Sequence, residues 1–225
     1  MMPEERIRIP RRRLIEIDNM SRSLSATLPV HAFNTARAEN LVIAIDKLRS
    51  ENINNGVTAL LIYIVTKALE LHPEMHRTID GEEFIIKSDI NIGFAVSGPD
   101  GSLSVPVLHG AQKFNIREMA FELDELAARS RAQKLSSIDV KGGSFAISNM
   151  GRTMKGGQGA GILPLGYSGM VACGSVIDVP VVDDGKVVPG KVLPLTLTFD
   201  HRVVNGIAAW RFYADVVKGI EEIVV

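Results

Sequence analysis

The residues best placed to do chemistry lie in one stretch, Leu193 to Gly206, which reads Leu-Pro-Leu-Thr-Leu-Thr-Phe-Asp-His-Arg-Val-Val-Asn-Gly. Leu193, Leu195, Leu197 and Phe199 alternate with Pro194, Thr196 and Thr198, the pattern of a half-buried strand. The strand ends at Asp200-His201, and a helix is expected to begin about four residues later. A histidine held on rigid backbone at a strand end can act as a general base, and it can equally do no more than cap that end. Asn205 has a plain reading too, because Asn before Gly is common in turns and is a favoured N-cap. Ser148 invites a nucleophile reading, with an acyl-enzyme intermediate. Its context, Ile-Ser-Asn-Met-Gly, lacks the G-x-S-x-G elbow that such a serine needs. Cys173 sits in the apolar run Met170-Val171-Ala172-Cys173-Gly174 and reads as a buried structural thiol.

The elements that must position these groups mix types. Helices are predicted at Arg11 to Leu24, Ala38 to Glu51, Thr58 to Leu71, Asn115 to Leu135, and from Asn205 to the C-terminus. Thr58 could cap the third-listed of these stretches, and His72-Pro73 marks its stop. Along Asn115 to Leu135, Ile116, Met119, Ala120, Leu123, Leu126 and Ala127 recur at helical spacing. Extended segments are predicted at Pro29 to Ala36, Glu83 to Lys87, Asn91 to Ser97, Leu103 to Val107, Ser144 to Ser148, Met170 to Val176 and Val192 to Phe199. The turn Gly98-Pro99-Asp100-Gly101 would join Asn91 to Ser97 with Leu103 to Val107 as a hairpin. Strands mixed with helices, without strict alternation, indicate an α+β fold with a largely antiparallel or mixed sheet. Between Ser148 and Met170 the chain is rich in glycine, as backbone packed close to a ligand or to a neighbouring chain would be. No helix is evident directly after those glycines, so a phosphate-cradling loop is disfavoured.

The chain has 225 residues, 46% hydrophobic and 23% charged, within the range of ordinary globular proteins. Lys and Arg total 25 against 26 Asp and Glu, a balance with no global field to hold nucleic acid or an anionic membrane. Arg6, Arg8, Arg11, Arg12 and Arg13 form a basic start. Pro3, Glu4, Glu5 and Pro10 interrupt it, and it lacks the apolar core of a signal peptide, so it reads as a solvated helix start. The longest apolar run, Ala59 to Val65, is far below the ~20 residues that span a bilayer. One cysteine cannot form a disulfide within the chain, and a cytoplasmic location is expected.

Asp200-His201-Arg202-Val203-Val204-Asn205-Gly206 resembles the D-H-R-x-x-D-G signature of the dihydrolipoyl acyltransferases, the core components of 2-oxo acid dehydrogenase complexes. It is also similar to the H-x-x-x-D-G motif of the chloramphenicol acetyltransferases. Ser144 to Gly151 resembles the family's G-x-F-T-I-S-N-L-G. Asp89 to Val96 with Pro99-Asp100-Gly101 is similar to its sheet hairpin, Leu126 to Leu135 to its long helix, and Met20 to His31 to its S-x-x-T-x-P-H entry segment. The resemblance covers nearly the whole chain, with several motifs in the right order.

The resemblance implies a chloramphenicol acetyltransferase-like two-layer α+β fold, with residues 1–225 forming one catalytic domain. Family members usually carry a lipoyl domain, a flexible linker and a small subunit-binding domain as well; no stretch of this sequence is expected to correspond to them, so it reads either as an excised catalytic core or as a protein that works on a carrier supplied in trans. It implies a homotrimer with the site between subunits, so that His201 of one chain faces Ser148 of the next, and possible assembly into a larger cubic core. Coenzyme A or acyl-CoA would be substrate, with the lipoyl group supplied in trans on a carrier domain and no metal. His201 would be the base and Ser148 the donor to the oxyanion. Asn205 stands where the family most often has Asp, and it can orient and hydrogen-bond without bearing charge. The family's N-P-P stretch is replaced by Leu165-Gly166-Tyr167-Ser168-Gly169, which alters the shape expected of the pocket. Two rivals stand beside this reading: an idle structural core, and acylation of a small-molecule hydroxyl. The apolar Ile223-Val224-Val225 either folds back on its own subunit or, as in the resembled proteins, enters a neighbouring trimer.

Overall fold

A computed structural model describes residues 4–98 and 101–225. In chain order the elements are α1 (Arg11–Ala26), β1 (Pro29–Arg37), α2 (Glu39–Ser50), α3 (Gly56–Leu71), β2 (Thr78–Asp80), β3 (Glu83–Ile85), β4 (Ile92–Phe94), β5 (Val96–Ser97), β6 (Leu103–Ser104) and β7 (Val107–Leu108). Then follow α4 (Ile116–Arg131), β8 (Phe145–Asn149), β9 (Gly169–Cys173), β10 (Ile177–Asp183), β11 (Lys186–Asp200) and α5 (Gly206–Glu221). The main sheet runs β1-β11-β9-β8-β4-β7, with β10 on β11. Pairs β4/β8 and β8/β9 are parallel and the remainder antiparallel, so the sheet is mixed.

Period-two burial divides the sheet into two faces. Phe145, Ile147, Val171, Cys173, Leu193, Leu195, Leu197 and Phe199 join the large core, which also holds Leu41, Leu60, Leu69, Met119, Phe212 and Tyr213 from the helices. Ala146 and Met170 face the other way and meet Leu163 and Tyr167 of the glycine-rich connection. That connection therefore covers part of the face the helices leave bare. Thr196 and Thr198, expected on an open face of β11, are each only 1% exposed for this reason. His31 Nδ1 lies 3.0 Å from the Thr198 hydroxyl, and Gln158 donates to the carbonyls of Asn34 (2.6 Å) and Leu195 (3.2 Å).

Several sequence expectations shift at the edges. Helix α3 begins at Gly56, with Asn55 rather than Thr58 at the N-cap. Asn55 turns its amide to the Ala120 carbonyl, and Thr58 Oγ1 is free to accept from Asn149 Nδ2. Helix α4 starts where expected, on a capping box between Asn115 and Glu118. It stops at Arg131 because Gln133 turns left-handed, at φ 56°. The expected strand Leu103 to Val107 breaks at Pro106, which has no N–H to give and whose carbonyl accepts from Phe94 N. Gly98 and Gly101 lie at the expected turn, but Pro99 and Asp100 are outside the described residues.

The largest feature missed is a long arm. Strand β10 and the first half of β11 form a hairpin around Asp184 (φ 46°) and Gly185 (φ 75°), with Pro180 facing Pro189 across the ladder. At the C-terminus Ile223 and Val225 pack against the chain's own core, Lys47 Nζ donates to the Val225 carbonyl, and Val224 is 86% exposed.

Candidate active site

His201 owes its place to Asp200. That aspartate ends β11 with 1% of its surface exposed, so its carboxylate must be satisfied inside the protein. It accepts from Leu28 N (3.1 Å), from Arg202 N (3.1 Å) and from the Arg202 guanidinium at 2.6–3.1 Å. Burial, the largest influence, pushes the Asp200 carboxyl up. The Arg202 side chain and the two backbone donors outweigh it and hold the group below its ordinary range. His201 N donates to the Leu28 carbonyl at 2.9 Å, while the N–H groups of Val203 and Val204 return to the Asp200 carbonyl. With Val203 and Val204 buried, the turn is fastened from both sides. The imidazole itself is exposed, 5.8 Å from the Phe199 ring, and among the described residues no group hydrogen-bonds it. A neutral ring so placed can take a proton from an incoming thiol.

Asn205 occupies the N-cap position of α5, but its side chain makes no capping bond and is exposed. The plain reading thus accounts for its backbone and leaves its amide free. His201 and Asn205 are carried by the same turn.

Ser148 is elsewhere. It lies on β8, half-buried, next to Ala172 of β9, which in turn pairs with Thr196 of β11. Two strand spacings separate Ser148 from Thr196, and five residues of strand separate Thr196 from His201. At ~4.8 Å per strand and ~3.3 Å per residue, the two side chains start roughly 19 Å apart. One chain does not bring Ser148 to His201. The backbone after Ser148 is firmly set: Asn149 Oδ1 accepts from Gly151 N (3.0 Å), Asn149 Nδ2 donates to Thr58 Oγ1 (3.2 Å), and Met150 N donates to the Cys173 carbonyl (2.9 Å). Cys173 is 1% exposed, and burial pushes its thiol up to about 12, so it stays a protonated core residue.

Two glycines flanking the glycine-rich connection meet it closely. A Cβ on Gly174 would lie 2.3 Å from the Gly157 carbonyl oxygen, and one on Gly143 would lie 2.0 Å from the Tyr167 hydroxyl. The connection is packed against its own chain.

A family model for the 2-oxoacid dehydrogenases acyltransferase (catalytic domain) matches residues 2–225. The chain belongs to this family. Among curated relatives, the dihydrolipoyllysine-residue acetyltransferase component of the pyruvate dehydrogenase complex of Cupriavidus necator is 35% identical over 74% of this chain and 30% of its own length. The lipoamide acyltransferase component of the branched-chain alpha-keto acid dehydrogenase complex of Bacillus subtilis is 33% identical over 78% of this chain and 41% of its own. The acyltransferase-family chain thus spans well under half the length of either relative.

Two solved structures superpose with TM-score 0.90 at 28% identity, each covering 98% of this chain and 92% of the other. One was determined to establish the role of a serine, a histidine and an asparagine in the catalytic mechanism of Azotobacter vinelandii dihydrolipoamide acetyltransferase. The other is the cubic core of the pyruvate dehydrogenase multienzyme complex. A chloramphenicol acetyltransferase, at 13% identity and TM-score 0.55, shares the fold. The expected α+β, chloramphenicol acetyltransferase-like architecture is therefore the one observed.

Within this family fold, two surface grooves stand apart from the turn and from Ser148. One runs between Lys113 and Glu122, the other between Tyr63 of α3 and Lys218 of α5. Among the described residues no group of three or more His, Cys, Asp or Glu could hold a metal ion, and no helix is long and apolar enough to cross a membrane. Sequence reasoning missed Asn149, which fixes the backbone beside Ser148, and Arg77, which donates to the Val203 carbonyl from outside the motif.

Proposed function

We propose that the protein transfers an acyl group between coenzyme A and a dihydrolipoyl thiol carried on another domain or chain, in a ternary complex without an acyl-enzyme. The observation that carries this reading is the exposed His201 imidazole on a turn pinned by the buried Asp200 carboxylate and Leu28, within a chain of the acyltransferase family. The structure whose serine, histidine and asparagine were tested supports it. Its histidine and asparagine stand four residues apart, as His201 and Asn205 do.

In this reading His201 takes the proton from the acceptor S–H, and the thiolate attacks the thioester carbonyl. The tetrahedral oxyanion accepts a hydrogen bond from the Ser148 hydroxyl. Collapse then breaks the old C–S bond, and the departing thiolate recovers the proton from the imidazolium. Asn205 orients the groups around His201 by hydrogen bonding. The roughly 19 Å between Ser148 and His201 on one chain calls for a second copy to supply the serine, and the homotrimer with sites between subunits that the family resemblance implies would supply it. The likeness to a cubic core supports further assembly of trimers. A lipoylated carrier domain is the partner in trans, and the cytoplasm, with an acyl-CoA pool to draw on, is the compartment this chemistry fits.

The test is transfer of acetyl from acetyl-CoA to dihydrolipoamide by the purified chain. His201→Ala should lower kcat by ~10²–10⁴ while leaving the fold intact. Near-normal transfer by that variant would end the assignment of the base, and no transfer by the wild type with any acyl-CoA would end the proposal.

A further inference from the structure

We propose that Arg77 is a positioning residue for the turn that carries His201 and Asn205, acting through the Val203 carbonyl and not on substrate. The inference rests on the acyl-transfer reading for its kinetic half and on geometry for its structural half.

Arg77 stands between the short 3-10 turn Pro73–His76 and β2, in extended conformation (φ −74°, ψ 158°). Its Nε donates to the Val203 carbonyl at 3.0 Å, and its Nη2 donates to the same oxygen. The guanidinium carbon lies 3.8 Å from the centre of the Phe84 ring on β3. The fork is thus held in plane from one side by an aromatic face and from its end by a shared acceptor.

Val203 lies midway between His201 and Asn205. Its carbonyl precedes the N-cap of α5, so the helix ladder does not reach it, and the Val203 and Val204 side chains are buried on either side. Asp200 fastens the start of the turn through groups of the motif itself. Arg77, more than 120 positions earlier in the chain, fastens its middle. Without the fork, the peptide between His201 and Asn205 can rotate while the strand behind it stays fixed. A displacement of about 1 Å at a catalytic base can cost on the order of 10²-fold in rate.

The experiment uses the full chain, with steady-state kinetics from acetyl-CoA to dihydrolipoamide and hydrogen exchange of the segment Asp200 to Gly206. Arg77→Ala should lower kcat by about 10- to 100-fold and leave both KM values within about threefold, because ground-state contacts are untouched. Exchange in the Asp200 to Gly206 segment should rise about tenfold, with β9 and α3 unchanged. Arg77→Lys keeps the charge but not the fork, and should fall between wild type and Arg77→Ala on both readouts. Unchanged kcat, a loss carried by KM, or unchanged exchange in that segment would each overturn the proposal. If the wild type proves inactive, the acyl-transfer reading fails, and the exchange comparison still decides whether Arg77 holds the turn.

Discussion

The turn that links Asp200 to Gly206 and the glycine-rich connection from Met150 to Ser168 both lie beside a candidate catalytic residue, yet charge holds the first and neutral contacts hold the second. The turn is fastened by charge. A carboxylate only 1% exposed gathers donors from Leu28 and Arg202, and two backbone N–H groups close on the Asp200 carbonyl. The connection is fastened by neutral groups: Gln158 donates to the Asn34 and Leu195 carbonyls, and Gly174 and Gly143, which flank the connection, leave room for the Gly157 carbonyl and the Tyr167 hydroxyl to approach. Polar clamps fix the direction in which a side chain is aimed. Close backbone packing fixes where a loop lies and leaves its neighbours free to be shaped by what docks there. In the proposed reaction a mobile proton is handled at His201, which needs aim, whereas Ser148 would need only to present a hydroxyl from a rigid strand.

The largest test of that contrast is Ser148→Ala. Loss of one oxyanion donor should slow transfer by ~10²–10³, equal to ~2.7–4 kcal/mol of barrier, with no change in fold. Mass spectrometry should find no acyl group on the wild-type serine. A trapped Ser148 ester with ping-pong kinetics would instead make it a nucleophile and remove the contrast.

Next comes the charge clamp. Asp200→Asn should cost about 3 kcal/mol at pH 7, the low end of the range for a broken buried pair because the Arg202 side chain is 40% exposed. The folded carboxyl sits below its ordinary value, so its stabilisation is complete above the unfolded pKa of ~3.9 and is lost as pH falls through the lower, folded value. Urea unfolding of wild type and variant should therefore converge on acidification below about pH 4. A gap that persisted there would show that the clamp works through shape and not charge.

The smallest effect is expected for Gly174→Ala. The added methyl meets a backbone oxygen and not a flexible side-chain end, so the connection must shift, at about 1–3 kcal/mol. That cost should not change with pH between 3 and 7, in the same unfolding measurement, because no titrating group is involved. Should it follow the pH course of Asp200→Asn, the two regions are coupled and the comparison fails.

Much of this was readable from local pattern. The alternation Leu193 to Phe199, the stop at His72-Pro73 and the periodicity of α4 all report contacts within a few residues, and the structure follows them. The arm β10–β11 was missed although Asp184-Gly185 is a strong hairpin signal, because Pro180 and Pro189 argue against strands when read without partners. Burial of Thr196 and Thr198 depends on a connection that folds back over them from 30 or more positions away. The distance between Ser148 and His201 follows from strand order, and the Arg77 clamp from a pairing across the chain. Neither leaves a periodic trace.

The facing prolines of the arm carry a further consequence. Residues directly opposite in an antiparallel ladder either exchange both hydrogen bonds or point both outward, and prolines can only do the second. Pro180 therefore blanks a donor on one outer edge of the arm, and Pro189 blanks one on the other, halfway along its length. An exposed ribbon tipped by Val182 and Val187 would otherwise be a template for stray strands and the start of fibrils. Interrupted on both flanks at the same level, the ribbon can stand out from the body of the protein without recruiting other chains to it.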